Sequence, residues 1–211
     1  MNPIAKLRDE HANMRRILML VRLQLDLLKD HGKPDLVLLA NSLYYMRKFP
    51  SVVHHPKEDL IFGKLLDAGA PVKQEVEQTR AQHGMIYSLE DHLIELVLGL
   101  QAGKSELQSR LLELGRDYLE IQARHVEIEE RVLFPKAIEI LQPRDWKEVQ
   151  RKSESIEDPL FGANVAERYQ YLYEYLLREA ADNGMLSIAR QPDAFSSATA
   201  SGFMIQSKNT H

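Results

Sequence analysis

The chain of 211 residues carries 27 basic and 31 acidic side chains, a net charge of −4 with the signs mixed, and 44% hydrophobic residues. That balance fits a soluble globular protein with one substantial core; it has no basic stripe for nucleic acid and no apolar run near the roughly 18–20 residues of a membrane span. Zero cysteines exclude disulfides, thiolate zinc sites, iron–sulfur clusters and thiol nucleophiles together, so any metal must take His, carboxylate, Tyr or water, and a cytoplasmic compartment is expected.

Helical spacing runs through the chain and period-2 alternation is almost absent. In the first segment Leu7, His11, Met14, Leu18, Val21, Leu25 and Leu28 recur at alternating intervals of four and three, and Gly32 and Pro34 stop the pattern. A second helix is predicted from Asp35 to about Asp67, interrupted or kinked near Pro50, and "AGAP" (68–71) ends it. A third runs from about Pro71 to about Gly99. The fourth has the clearest seam, Leu107, Leu111, Leu114, Tyr118, Ile121, His125, Ile128 and Val132, and stops before Pro143. Four long helices with short connections predict an all-α, up-down-up-down four-helix bundle over residues 1–143. Residues 144–184 read as a C-terminal helical extension that docks on the bundle, with a homodimer through its Tyr- and Leu-rich helix as the alternative. Residues 185–211 lack periodicity and read as a flexible tail.

Two of these seams hold a histidine where a leucine would serve, and a single such histidine is more often a satisfied core residue than a ligand. An internal echo argues otherwise here. "HHPKEDLIFGK" (54–64) resembles "HVEIEERVLFPK" (125–136): His54 matches His125 and Glu58 matches Glu129, while His11 and His83 stand at nearly the same offset on the partner helices. Each half therefore carries one His on its first helix and His-x-x-x-Glu on its second.

Residues four apart on a helix differ by roughly 400°, so each His–Glu pair projects from nearly one face. Four imidazoles and two carboxylates pointing into an apolar bundle would be costly if left bare. A pair of divalent or trivalent cations satisfies all six, and a donor set of His and carboxylate suits iron or manganese. A one-residue slip would instead pair His55 with Asp59; in the favoured register His55 is rotated roughly 100° away, toward a helix interface or solvent. Tyr87 and Tyr118 share the ligand face, as core residues or as groups that bind the metal or its small ligand. Glu90 falls on the same stripe, as a supporting partner or a surface residue. His92, His31 and His211 read as surface, turn and terminal residues.

The pattern His11…His54-x-x-x-Glu58…His83…His125-x-x-x-Glu129 resembles the hemerythrin-like (HHE cation-binding) domains over roughly residues 5–141. The resemblance implies a bundle holding two non-haem iron ions, with His11, His54, His83 and His125 as terminal ligands and Glu58 and Glu129 as bridges. Oxygen-carrying members place His-x-x-x-His on the third helix, where this chain has Tyr87, and His-x-x-x-x-Asp on the fourth, where it has Glu130. A missing histidine leaves an open coordination position, suited to oxygen, peroxide or nitric oxide. The expected function is binding or processing of such a small ligand in stress response or iron handling. The alternative is a non-catalytic metal- or redox-sensing module signalling through the C-terminal extension. Neither nucleic acid nor membrane is an expected partner.

Overall fold

A computed structural model of the protein describes residues 3–153 and 156–182, and side chains as far as residue 179. All regular structure among these residues is helical. Helix α1 spans Pro3–Lys29, α2 Leu36–Phe49, α3 His55–Asp67, α4 Lys73–Gln101, α5 Gln108–Ile128, α6 Phe134–Ile140, α7 Pro143–Lys152 and α8 Gln170–Asp182. No described helix is long and apolar enough to cross a membrane. The chain divides into two compact units, residues 1–175 and 176–211. The tail expected over 185–211 lies outside the described residues.

Local chemistry sets the ends of the elements. Asp35 caps α2 by accepting the amides of Val37 and Leu38 at 3.0 and 2.9 Å. The turns after α3 and α4 need left-handed backbone, which glycine supplies at Gly69 (φ 72°) and Gly103 (φ 88°). In the first unit α1 packs against α2 and α5, and α4 packs against the same two helices, which closes an antiparallel four-helix bundle. At Gly115 α1 comes close: a Cβ there would lie 2.6 Å from Leu25 Cδ1.

Two helices widen in mid-course. A π turn over Pro50–His54 joins α2 to α3, and another over Glu129–Leu133 joins α5 to α6. Pro50 opens the first of them, and having no N–H it cannot sustain the α-helical ladder back to Met46. The break expected near Pro50 is thus a widened turn within a continuing helix. The second wide turn shifts the buried face: Leu133 and Phe134 are fully buried, while Val132, which the uniform period placed on the seam, is only partly buried.

The apolar core falls into two clusters. One gathers Ile4, Leu7, Ile61, Phe62, Leu65, Val76, Leu133 and Phe134; the other gathers Val21, Leu25, Leu39, Leu43, Ile86, Leu93, Leu111 and Tyr118. Along α1 the first holds Leu7 and the second Val21, and His11 lies between them. Each large apolar side chain fully buried in these clusters contributes about 1.5–3 kcal/mol, enough in sum to support a polar layer that does not stabilise itself.

Residues 143–172 also pack within the first unit. Tyr45 on α2 donates its hydroxyl to Asp158 at 2.8 Å and meets the rings of Phe161 and Tyr169 edge-on. Asp158 in turn accepts the amides of Leu160 and Phe161, which fixes the loop. The helix expected over much of this loop starts only near Glu167.

Candidate metal centre

Six segments of the bundle deliver polar side chains to its interior. His11 comes from α1, His54 from the end of the first wide turn, Glu58 from α3, His83 from α4, His125 from α5 and Glu129 from the start of the second wide turn, and all six are buried. His54 Nε2 lies 3.1 Å and His11 Nε2 3.5 Å from Glu58 Oε1. His83 Nε2 is 3.7 Å from the other Glu58 oxygen. Glu129 reaches His11 at 3.4 Å and His125 at 3.3 Å.

His55 joins them, on a face where the 100° rotation did not place it. It is buried, its ring stacks on His83 at 3.9 Å between centroids, and it belongs to a metal-competent group with Glu58, His83 and His125. A second such group comprises His11, His54 and Glu58, and in each group the ligand atoms lie within 4.8 Å of one another. The signal was present in the sequence: Glu58 follows His54 by four residues and His55 by three, and both separations put side chains on one helix face. The wide turn that ends at His54 lets both rings point inward. Its counterpart in the second half begins only at Glu129, and the residue matching His55 there is Val126, so the internal repeat is not symmetric.

Outer partners fix the imidazoles. With Nε2 facing inward, the Nδ1–H of His11 donates to Glu130 at 2.9 Å, that of His54 to Glu10 at 2.8 Å, that of His55 to the Tyr87 hydroxyl oxygen at 2.5 Å and that of His125 to the Gln82 amide oxygen at 3.3 Å. Such bonds set ring orientation and tautomer in metal sites. Glu10 and Gln82 had no role in the sequence reading, and Glu130 entered it only as the residue at the Asp position of the oxygen carriers. Tyr87 serves here as the partner of His55. Tyr118 donates to Glu90 Oε1 at 2.9 Å and accepts from Gln122 at 3.2 Å, which places its hydroxyl in a polar trio apart from the two metal-competent groups. Glu90 is buried, as a supporting residue would be, and Asp59 is a surface residue paired with Arg80.

Burial works against charge at His11, His54, His55 and His125. At His11 it is outweighed by Glu129, Glu130 and Glu58, and at His54 by Glu58 and Glu10, so both rings are held above their ordinary range. At His55 and His125 burial prevails and pushes the ring down, toward the neutral form that ligates metal. Burial would raise Glu58, but His54 and His11 hold it well below the carboxylate range.

Within this layer eight buried atoms then remain without a hydrogen-bond partner: Nε2 of His11, His54, His83 and His125, and both oxygens of Glu58 and Glu129. Native interiors rarely leave buried polar atoms so, and eight converging in one layer match the donor set of a cation site. Fold and layer together define a cation-binding four-helix bundle. The pattern of the hemerythrin HHE cation-binding domain matches residues 2–137, and the chain belongs to that family. No curated protein matches the chain.

Proposed function

We propose that the protein holds two non-haem iron ions, with manganese as the alternative metal, and uses them to bind or process oxygen, peroxide or nitric oxide in stress response or iron handling. The eight unpartnered donor atoms in a single buried layer carry this reading. Glu58 belongs to both metal-competent groups and is therefore suited to bridge, with Glu129 beside it; the bridging carboxylates offset the repulsion between two close cations. His55, His83 and His125 serve one position, His11 and His54 the other. The second position has one imidazole fewer, which suits an open place for a small ligand. Iron held there by His11, His54 and Glu58 would supply that coordination position and redox chemistry toward the ligand. The chain's own residues orient the rings through their Nδ1 partners, and the two apolar clusters limit the access of water.

Anaerobically iron-loaded protein exposed in turn to oxygen, peroxide and nitric oxide tests this. At least one should change the near-ultraviolet and visible charge-transfer absorption; an iron-loaded protein indifferent to all three contradicts the reading. A second reading, metal or redox sensing, draws on Tyr45: the extension grips α2, the helix that continues into His54. A sensing module would leave peroxide and nitric oxide unconsumed while its extension changes protease sensitivity with metal loading.

A further inference from the structure

The groups behind the imidazoles differ in charge from one side of the centre to the other. Behind His54 stands the Glu10 carboxylate, which the Lys57 ammonium holds by its other oxygen at 2.7 Å. Behind His11 stands Glu130, held by Arg15 at 2.5 Å. On the opposite side the partners are neutral, the Tyr87 hydroxyl for His55 and the Gln82 amide for His125.

We propose that Glu10 and Glu130 are positioning residues that make the two metal positions electronically unequal, so that the one held by His11 and His54 is oxidised first. This rests on the dinuclear reading above. An anion accepting an imidazole N–H draws the proton toward itself and leaves Nε2 the stronger donor; charge-assisted bonds of this kind are roughly twice as strong as neutral ones. A stronger donor favours the more highly charged ion. Lys57 reduces the effect without cancelling it, because it binds the far oxygen of Glu10 and lies beyond the carboxylate as seen from His54. Glu10 has the larger share. Its side chain is 8% exposed against 27% for Glu130, so solvent screens its field less. Each oxidation removes one electron from the centre and passes it to the mediator used to measure it; no bond to protein forms or breaks.

A potentiometric titration of the iron-loaded full chain should resolve two one-electron steps. Glu10→Gln keeps an acceptor of the same size but removes the charge. It should move the first step to higher potential by about tenfold in equilibrium constant, ~59 mV for one electron, and the second step by less. Tyr87→Phe, which removes a neutral partner on the opposite side, should move the second step and leave the first. Because Glu10→Gln strands the buried Lys57 ammonium, the double variant Glu10→Gln/Lys57→Met removes the pair as a unit and should shift the first step in the same direction. A single unresolved two-electron step in the wild type overturns the proposal. So does a Glu10 change that moves both steps equally, moves only the second, or moves neither. Failure of the dinuclear reading is seen differently, as wild-type protein that binds no iron, and it removes this proposal too.

Discussion

Glu90 offers a test of how the bundle tolerates a buried acid. It lies on α4 seven residues beyond His83 and is fully buried, with Oε1 accepting from Tyr118 and Oε2 unpartnered. Burial drives its carboxyl up to about 8 from the ordinary 4.5, against a smaller opposing effect of the Tyr118 hydroxyl. Between those two values the folded chain keeps a proton that the unfolded chain releases. Stability therefore falls as pH rises from 4.5 toward 8 and levels off above. At about 1.36 kcal/mol per pH unit the whole interval is worth about 5 kcal/mol as an upper figure. Glu90→Gln retains an acceptor for Tyr118 and cannot ionise, at a cost of about 1–2 kcal/mol for an amide left incompletely paired. The variant should thus be slightly less stable than wild type near pH 5 and more stable by about 3 kcal/mol near pH 8. Urea unfolding of both proteins in chelator, from pH 5 to 8, reads the difference, from which the titration of the shared histidine cluster cancels. A difference that stays constant across this range refutes the reasoning.

Glu58→Ala should lower metal affinity more than a hundredfold and abolish the rise in Tm on metal loading, since both groups lose a ligand and metal bound only by the folded state stabilises it. Asp59→Ala, which costs only an exposed pair with Arg80, should change stability by about 0.5 kcal/mol or less and leave metal binding intact; equal losses at the two positions would contradict the register. Tyr87→Phe removes the partner of His55 Nδ1 and should weaken metal binding about tenfold with an unchanged circular dichroism spectrum. Tyr45→Phe removes the bond to Asp158 and should cost about 1–2 kcal/mol in urea unfolding while full metal loading is retained.

The parts of the site legible in sequence were those set by local periodicity. His54 with Glu58 and His125 with Glu129 are pairs four apart, and a regular helix already puts each pair on one face. His11 and His83 stood out because they interrupt apolar seams. The two wide turns were not legible as such: Pro50 signals a break, but a kink, a stop and a π turn share that cue. Missing the first turn is what assigned His55 to a helix interface or solvent, and missing the second put Val132 in place of Leu133 and Phe134 on the seam. The outer partners were illegible for a different reason. Glu10 meets His54 from 44 positions away, and Gln82 meets His125 from 43, so only the packing of one helix on another brings them together. Glu130 was visible as an acid near the ligands, yet its service to His11 depends on α1 lying against the end of α5.

The central claim is that the buried His and Glu layer is a dinuclear iron site. Elemental analysis of protein loaded anaerobically with ferrous iron and freed of excess metal tests it most directly. The account predicts two iron ions per chain in the wild type and loss of both in Glu58→Ala. One tightly held ion would reduce the centre to a mononuclear site, and a wild-type chain without bound transition metal would contradict the account.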